Sequence, residues 1–507
     1  MAVKINAATF TGIEGVMVSV EVDIERGLPC FNIVGLADTS VKESKERVRA
    51  AIVNSGFEFP INRIIINLAP ADVKKVGSLF DLPIAIGILM ATEQISFEDS
   101  DDFLIIGELS LSGDLKGVKG VLPIAMESKN NDLKNFIIPF DNSEESSIVN
   151  EVNIYPFQNL REVISYIKYR DLMPYSSKQL KYDSESKVDF QDVIGQESCK
   201  RAVEVAAAGN HNMLMVGPPG SGKTMIAQRI ATILPPLSYE EALEVTKIYS
   251  VSGNLEKNIG LMYKRPFRSP HHTVTSTALI GGGTNLTPGE VSLAQNGVLF
   301  LDEVLEFKRS VLEVLRQPME DGNVKISRLS GTVTYPSNFM TIISTNPCKC
   351  GFYGSTRTCT CSEYERRKYI NKLSGPLLDR IDLFTFVSSL SFDEIRNKSK
   401  HKVESSKNIR ERVEKARKIQ KERFKNDKIY CNSQMDSRLI KKHCKLNNKS
   451  SRIIEKIYNR YSLSTRAYSR ILKVSRTIAD LDNRESIEES HIVEALQYRK
   501  FLNEEII

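Results

Sequence analysis

An apolar run that leads directly into a glycine-rich loop most constrains the fold of this chain of 507 residues. Met213–Val216 is apolar, residues 217–224 read GPPGSGKT, and the following MIAQRIATIL has helical periodicity. Backbone N–H groups of such a loop approach phosphate oxygens closely, because glycine has no β-carbon in the way. The order of strand, loop and helix predicts a nucleotide-binding α/β domain with the phosphates at the helix N-terminus.

The residues of this loop have expected roles in binding ATP and Mg²⁺. Lys223 is expected to bind the β and γ phosphates, and the hydroxyl of Thr224 is expected to ligate Mg²⁺. A glycine-rich turn without a nucleotide is the alternative, and the complete motif between strand and helix argues against it. The remaining nucleotide-binding candidates in the loop are Gly217, Pro218, Pro219, Gly220, Ser221 and Gly222.

Two further apolar runs end in polar residues. Val298–Leu301 precedes Asp302 and Glu303, and the run at 340–344 lies just before Asn346. In a parallel sheet these ends meet at one edge with the phosphate loop. Asp302 suits Mg²⁺ coordination through water, Glu303 suits activation of the attacking water, and Asn346 is placed to orient that water or sense the γ phosphate. Together these groups predict ATP hydrolysis.

Length and patterning predict an α/β multidomain protein with domains of about 150 residues. Residues 1–168 alternate strand-like runs with helix-like runs such as Thr39–Asn54, which indicates an α+β domain, and residues 169–188 read as a polar linker. Residues 189–390 have the α/β pattern of a parallel sheet, and residues 391–507 predict a helical lid domain. We find neither a targeting segment nor an apolar run of membrane-spanning length, so we expect a cytoplasmic protein without a membrane partner.

Positive charge is concentrated near the C-terminal end of the chain. Residues 401–507 carry 26 Lys and Arg against 15 Asp and Glu, although the net charge of the whole chain is only +6. Such a segment suits contact with a polyanion such as DNA. A solvated helix face explains the same pattern, and the two interpretations stay equally open.

Four of the eight cysteines lie close together in the sequence, at Cys348, Cys350, Cys359 and Cys361. Four neighbouring thiols in a cytoplasmic chain favour a structural zinc site over disulfides. The residues between the two pairs are polar and glycine-rich, so they have little apolar surface with which to fold unaided. Free thiols are the alternative, because C-x-C is less specific than C-x-x-C.

The order of motifs along the chain resembles that of AAA+ ATPases. The motifs are VIGQE at 193–197, GPPGSGKT at 217–224, LFLDE at 299–303, STN at 344–346, LLDRID at 377–382 and STR at 464–466. The resemblance implies that Ile194 and Gly195 lie beside the adenine and that Arg466 closes the lid over the subunit's own nucleotide. It also implies that Arg380 reaches the neighbouring subunit's nucleotide, so that active sites form between the subunits of a homo-hexamer. A surface ion pair is the alternative for Arg380.

Five longer segments resemble the magnesium-chelatase-like ATPases of the YifB/ComM family, and the match extends over nearly the full chain. They are FRSPHHTVTSTALIGGG, GEVSLAQNGVLFLDE, LRQPMEDG, NPCKCG and LSGPLLDRIDL. The resemblance implies an ATP-driven DNA motor, a branch-migration helicase of natural transformation and homologous recombination, with recombination proteins as partners. The alternatives are a magnesium-chelatase motor subunit and a regulatory scaffold that nucleotide only switches.

Two segments of the α/β domain are candidates to contact DNA. Residues 281–283 are three glycines, and residues 325–335 alternate like a β-hairpin. We expect Lys325 and Arg328 to contact DNA phosphates, with ordinary solvated side chains as the alternative.

The first domain resembles the proteolytic domain of Lon-type proteases. The resemblance rests on DVKKVGSLFDLPIA at 72–85 and GELSLSGDLKGVKGVLPIA at 107–125. That family uses a Ser nucleophile and a Lys base, but Leu79 and Leu122 stand at those positions here. We therefore expect a catalytically inactive scaffold. A protease that uses Ser78 and a nearby Lys is the alternative.

Overall fold

The computed structural model describes residues 2–176, 188–257, 259–328, 331–355, 357–390, 404–427, 429–460 and 463–504. Most of the predicted linker and the first residues of the predicted lid therefore lie outside the described residues. In the part of the chain that is described, no helix is both long and apolar enough to span a bilayer.

A mixed seven-stranded sheet organises the N-terminal part of the chain. Strand Glu14–Glu25 alternates valines with polar residues, and Val18, Val20 and Val22 are buried on one face. Two of the six strand pairs in the sheet are antiparallel, and the other four are parallel. In spatial order the strands are Cys30–Val34, Arg63–Ala69, Glu14–Glu25, Val3–Thr11, Phe103–Ile105, Asn135–Pro139 and Asn153–Phe157.

Helices cover this sheet. The predicted helix at 39–54 coincides with Thr39–Asn54, which Asp38 caps by accepting a hydrogen bond from the Val41 N–H group at 2.9 Å. Asp81–Ala91 is apolar all round and buried over most of its length. The remaining helices are Val121–Asn130, Ser143–Ser146 and Leu160–Tyr169, with 3₁₀ turns at Ser100–Asp102 and Phe140–Asn142 and a small ribbon of Glu108–Leu109 with Leu115–Lys116.

A five-stranded parallel sheet forms the α/β core. Its strands are short, and four of them are almost fully buried. The glycine-rich loop follows Met213–Val216, which has a neighbouring strand on each side. This agrees with the parallel sheet predicted from the buried runs. In spatial order the strands are Phe267–Arg268, Val298–Leu301, Met340–Thr345, Met213–Val216 and Leu383–Phe386.

Helices and two small hairpins surround the core sheet. The hairpins pair Gly281–Gly282 with Thr287–Pro288 and Asn323–Arg328 with Gly331–Pro336. The helices are Glu197–Gly209, Lys223–Ile233, Tyr239–Ser252, Ser276–Ile280, Glu290–Leu293, Arg309–Glu313, Arg316–Asp321, Glu363–Ile370 and Gly375–Leu378, with 3₁₀ turns at Phe190–Asp192 and Val304–Glu306.

The C-terminal helices share a hydrophobic core with this sheet. Val413, Ile471 and Ile478 pack in the same buried cluster as the strand residues Met213 and Phe300. The C-terminal helices therefore pack mainly on helices Glu197–Gly209 and Lys223–Ile233, and the last of them also contacts strand Leu383–Phe386. The C-terminal helices are Ser406–Arg423, Ser437–His443, Asn448–Arg460, Thr465–Leu481 and Glu489–Glu504, with a 3₁₀ turn at Asn432–Gln434.

The N-terminal domain is docked on the α/β core through a buried carboxylate. Glu145 accepts hydrogen bonds from the Leu122 N–H group, at 2.9 Å, and from the hydroxyl of Ser250 in the core. The Gly120 N–H group donates to the Ser250 carbonyl at 3.1 Å. These contacts place the N-terminal end of helix Val121–Asn130 against the end of a core helix.

Candidate functional site

The glycine-rich loop has the backbone shape that a phosphate requires. Gly220 and Gly222 have φ of +77° and +92°, a region that L-residues rarely adopt. A β-carbon on Gly217 would lie 2.3 Å from the Val387 carbonyl oxygen. The Ser221 hydroxyl is buried and has no hydrogen-bond partner among the described atoms, which suits it to bind a ligand oxygen. The loop residues therefore fit a nucleotide phosphate.

Lys223 lies in the first turn of the following helix, with its ammonium group inside the loop. It is buried and donates to the carbonyls of Gly217 at 2.7 Å and Pro218 at 2.9 Å, and to Asn346 Oδ1 at 3.3 Å. Burial lowers the pKa of Lys223, and the nearby Asp302 carboxylate acts in the opposite direction. The only cation inside the described part of the loop therefore faces the strand end that carries Asn346.

Thr224 and Asp302 form a pair of oxygen ligands. The Thr224 hydroxyl donates to Asp302 Oδ2 at 2.7 Å. Asp302 Oδ1 accepts a hydrogen bond from the Ser344 hydroxyl, which orients the carboxylate. A hydroxyl and a carboxylate beside a phosphate loop are the donors that Mg²⁺ prefers, so this pair fits the ion.

Glu303 stands next to this pair with an exposed side chain. Its backbone is left-handed, with φ of +48°, which is uncommon outside glycine and often occurs at functional sites. The Glu303 N–H group donates to Asp302 Oδ1 at 3.1 Å and to Ser344 Oγ at 3.3 Å. These bonds hold the unusual turn and direct the Glu303 carboxylate away from the sheet, where it can meet solvent.

The predicted adenine-side segment lies beside the helix that follows the loop. Arg229 of that helix donates to the Asp189 carbonyl at 2.7 Å and pairs with Asp192 at 2.7 Å. Gly195 is buried with φ of +60°, and Ile194 is half-buried. The structure thus brings Asp189 and Asp192, just before this segment, to the phosphate-loop helix, and no role was predicted for Arg229.

Arg380 and the phosphate loop lie at opposite ends of the strands of the core sheet. Arg380 precedes Leu383, which pairs with the first residue of the strand Met213–Val216, whereas the loop follows the last. The first and last residues of this strand are three residues apart, which along a strand is a distance of about 10 Å. The Arg380 guanidinium forms an ion pair with Glu320 and donates to the Pro376 carbonyl at 2.8 Å. Arg380 therefore does not face its own subunit's phosphate loop.

A buried network fixes the backbone around Arg380. Asn212 donates to the Arg380 carbonyl at 3.0 Å and accepts from the Thr341 N–H group at 2.8 Å. Asp382 is buried and pairs with Arg470 and with His211 Nδ1 at 3.2 Å. Burial acts to raise the pKa of Asp382, but Arg470 and His211 outweigh it and hold that pKa well below its ordinary range.

Arg466 is exposed at the start of helix Thr465–Leu481. Within the described residues no hydrogen bond or ion pair joins it to the phosphate loop. Arg470, one turn later on the same helix, binds Asp382 instead. The structure therefore brings this helix to the Arg380 segment and leaves the proposed contact of Arg466 with nucleotide as a prediction.

Lys325 and Arg328 are both exposed, but side chains alternate along a strand, so Lys325 lies on the outer face and Arg328 on the face of Val324 and Ile326. The inner face is apolar and packs against the neighbouring small hairpin, where the Tyr335 hydroxyl donates to the Leu286 carbonyl at 2.7 Å. The two glycine-containing inserts form one unit, and Arg328 Nη2 lies 3.7 Å from the β-carbon position of Gly282 in the neighbouring hairpin. The contact of Lys325 and Arg328 with DNA stays a prediction.

The four clustered cysteines meet in space. Sγ of Cys348 lies 3.4 Å from that of Cys350 and 3.7 Å from that of Cys359, and all four sulfur atoms lie within 4.8 Å of one another. A tetrahedral zinc with bonds of about 2.3 Å would set its sulfurs about 3.8 Å apart, whereas a disulfide needs about 2.05 Å. The four thiols, Cys348, Cys350, Cys359 and Cys361, therefore fit zinc and not a disulfide.

Three of these thiols have a shifted pKa, and that of Cys361 is raised. A backbone hydrogen bond from Phe352 is the main reason that the pKa of Cys350 falls to about 6. Burial raises the pKa of Cys348 to about 12. Cys350 is therefore the thiol best prepared to bind a metal as the thiolate.

The N-terminal domain has no dyad at the positions of the Lon-type residues. Leu79 is 3% exposed and Leu122 is fully buried, so both belong to the hydrophobic core. The Ser78 hydroxyl donates to the carboxylate of Glu108, and the buried Lys75 ammonium donates to the Pro70 carbonyl. Ser78 therefore has a carboxylate partner in place of the Lys base that the alternative required.

No role was predicted from the sequence for several residues that the structure places in or near the site. Ser344 lies inside the STN motif, so its position gave a signal that was not used. Asn212, His211 and Asp382 meet only through contacts between residues about 170 positions apart, which leave no local pattern. Glu320 lies within LRQPMEDG, but nothing in that segment indicates an ion pair with Arg380.

Comparisons with known proteins agree with this arrangement. Three family models match consecutive parts of the chain. The model "Magnesium chelatase, subunit ChlI" matches residues 189–395, and "Subunit ChlI of Mg-chelatase" matches residues 20–142. The model "Magnesium chelatase, subunit ChlI C-terminal" matches residues 403–499.

Individual relatives extend the match to almost the full chain. Competence protein ComM of Haemophilus influenzae is 43% identical over 493 residues, which are 96% of this chain and 95% of that protein. Uncharacterized protein YifB of Escherichia coli is 42% identical over 488 residues, with the same coverage of 96% and 95%. Holliday junction branch migration complex subunit RuvB of Fusobacterium nucleatum is 28% identical over 144 residues, 27% of this chain and 33% of that protein. The chain therefore belongs to the ComM/YifB family of magnesium-chelatase-like AAA+ proteins.

Proposed function

We propose that this protein is a hexameric AAA+ motor that hydrolyses ATP and moves or remodels DNA, as a branch-migration helicase in natural transformation and homologous recombination. The single observation that carries the ATPase part is the meeting of five groups at one edge of the core sheet. These groups are Lys223, Thr224, Asp302, Glu303 and Asn346.

Each group has a distinct part in hydrolysis. Bound ATP with Mg²⁺ supplies the phosphoanhydride whose cleavage drives the motor. Lys223 exchanges its carbonyl partners for phosphate oxygens, and the Thr224–Asp302 pair holds the metal side of the nucleotide. The Glu303 carboxylate accepts the proton of the attacking water, which Asn346 orients. The Ser344 hydroxyl keeps the Asp302 carboxylate in place.

The position of Arg380 supports the proposal of a ring. This side chain lies across the sheet from its own phosphate loop, so the γ phosphate that it can stabilise belongs to a neighbouring subunit. An arrangement of this kind is head-to-tail, and it generates closed rings when the rotation between subunits closes. We propose a hexamer, with Arg466 acting on the subunit's own nucleotide.

DNA is the proposed substrate for three reasons. The relatives include a competence protein and a branch migration subunit. Lys325 and Arg328 are exposed together on one hairpin, and residues 401–507 are strongly basic. We therefore place the protein in the cytoplasm, where it would meet recombination proteins. The four clustered cysteines hold a structural zinc in this proposal.

Strand exchange on a three-strand DNA junction tests the motor directly. We expect junction movement with ATP and none with a non-hydrolysable analogue. Glu303→Gln is the matched control, because it keeps the fold and the nucleotide site but loses the general base. If wild type moves no strand with ATP while it hydrolyses ATP, the DNA substrate is wrong.

The second candidate is a scaffold that nucleotide only switches. The buried leucines of the first domain, which replace a Ser–Lys dyad, favour it. Glu303→Gln also separates this candidate from the motor. A motor loses its biological output when Glu303→Gln binds ATP without turnover. A switch retains its output under those conditions. Metallation of a porphyrin by the purified chain with its partners would instead indicate the magnesium-chelatase activity after which the family models are named.

A further inference from the structure

The clustered cysteines lie directly on the phosphate loop. Cys348 is two residues beyond Asn346, at the edge of the sheet where the loop begins. A β-carbon on Gly351, which lies between the two cysteine pairs, would be 2.9 Å from both Cδ and Cγ of Pro219 in the loop. That distance is shorter than real β-carbon contacts, so only glycine allows the proline ring to approach the Gly351 backbone this closely.

A second contact attaches the same segment to the sheet. A β-carbon on Gly354 would lie 2.5 Å from Cζ of Phe386. Phe386 is the last residue of its strand and pairs in register with Val216, the residue before the phosphate loop. The cysteine segment therefore touches the loop itself and the strand beside the loop's point of origin.

Few apolar contacts hold this segment in place. Cys348 is buried, but the other three cysteines are only partly covered. Arg366 fixes the far end by donating to the Cys361 carbonyl at 3.1 Å and stacking over Tyr353 at 4.3 Å from the ring centre. A polar, glycine-rich segment depends on its metal for a fixed shape, because the free energy of metal binding is what stabilises its folded form.

We propose that zinc held by Cys348, Cys350, Cys359 and Cys361 braces the phosphate loop through Gly351 and Pro219, so that zinc and ATP bind cooperatively. The inference rests on the proposed ATP and zinc binding and adds a coupling between them. Coupling of this kind is reciprocal: the factor by which zinc raises the affinity for ATP equals the factor by which ATP raises the affinity for zinc.

Two affinities of the full chain test the coupling. The first is the Kd of a fluorescent ATP analogue, measured on zinc-loaded protein and on reduced protein from which a chelator has removed zinc. The second is the apparent Kd of zinc, measured by competition with a chelating dye, with and without a non-hydrolysable ATP analogue. We expect both to change by one common factor of about tenfold.

Removal of zinc can also unfold the segment, so a variant that retains its zinc provides a second test. Gly351→Ala retains all four thiols but sets a methyl group against Pro219, so we expect one zinc per chain and about tenfold weaker binding of the ATP analogue. Gly56→Ala is the matched control. Gly56 also has positive φ, +89°, but has no atom within 4 Å of its β-carbon position, and it lies in the N-terminal domain.

The outcomes separate the claims. Equal ATP-analogue affinity with and without zinc, and in Gly351→Ala, overturns the brace. Protein without zinc by elemental analysis, when purified without chelator, overturns the metal site and the brace with it, while ATP binding by such protein leaves the proposed function standing. A common tenfold factor with normal binding by Gly56→Ala supports the inference.

Discussion

The N-terminal domain and the α/β core are both sheets flanked by helices, and both resemble catalytic domains in sequence. They differ at the positions where catalytic groups belong. In the core, the strand ends carry Asp302, Glu303 and Asn346 beside the phosphate loop. In the N-terminal domain, Leu79 and Leu122 fill the corresponding protease positions and join the hydrophobic core. A similar scaffold therefore presents polar groups at the strand ends in one domain and apolar side chains in the other.

Two buried lysines make the same contrast. Burial lowers the pKa of both Lys223 and Lys75. Lys223 points into a loop shaped for phosphate, whereas Lys75 donates to the Pro70 carbonyl of a nearby turn. A lowered lysine pKa is therefore no mark of catalysis by itself, because structural burial produces it equally well.

The largest expected effect is that of Lys223→Ala, a loss of about a thousandfold in steady-state ATPase rate. The variant removes the cation that faces the phosphates and leaves the apolar core untouched, so its melting temperature should stay close to wild type. Lys75→Met is the paired control in the other domain, with an ATPase rate within about twofold of wild type. A large loss of ATPase activity in Lys75→Met would contradict the contrast between a phosphate-binding Lys223 and a structural Lys75.

Ser344→Ala is expected to lower kcat about tenfold with a smaller change in KM. The Ser344 hydroxyl donates to Asp302 and accepts from the Glu303 N–H group, so its loss removes one hydrogen bond from each of the two acidic residues. Thr341→Val on the same strand is the control, since its buried hydroxyl has no partner among the described atoms. Equal effects of the two variants on kcat would indicate a packing effect and contradict the positioning role.

A moderate effect is expected at Glu145, a buried polar residue that serves docking and not chemistry. Burial raises the pKa of Glu145 in the folded protein. Its stabilising contribution is therefore complete below the ordinary pKa of about 4.3 and falls as the pH rises through the raised folded-state pKa. The melting temperature of wild type minus that of Glu145→Gln should fall by about 2 °C between pH 4.5 and 8. A constant or rising difference would contradict this account.

The smallest expected effect is that of Ser78→Ala. Its hydroxyl donates to Glu108 in a domain without a Ser–Lys dyad, so ATPase should stay within about twofold of wild type. Neither wild type nor the variant should degrade casein. Degradation by wild type that Ser78→Ala abolishes would restore the protease alternative and remove the contrast between the domains.

The sequence predicted some parts of this molecule well, for physical reasons. Strand Met213–Val216 and helix Thr39–Asn54 coincide with their predicted bounds, because continuous apolar runs and a strong helical period are local signals. The parallel core sheet also agrees with the prediction. The phosphate loop has the predicted strand before it and helix after it, and the roles of its residues stay proposals.

Other features depend on contacts that no local pattern records. The shared core of the C-terminal helices and the sheet joins Val413 to Met213, two hundred positions apart in the chain. Asn212 bonds to the Arg380 carbonyl across a similar separation. The proximity of Gly351 to Pro219 likewise arises only when the two strand ends meet at one edge.

The central claim is that each ATPase site is completed by a neighbouring subunit. Arg380→Ala keeps the phosphate loop and Glu303, whereas Glu303→Gln keeps the arginine, so each variant alone should be nearly inactive. When the two are mixed in equal amounts and reassembled, about a quarter of the subunit interfaces pair an intact loop with an intact arginine. We predict that ATPase activity returns to about a quarter of the wild-type rate. A mixture as inactive as either variant alone, or a fully active Arg380→Ala ring, would contradict the account.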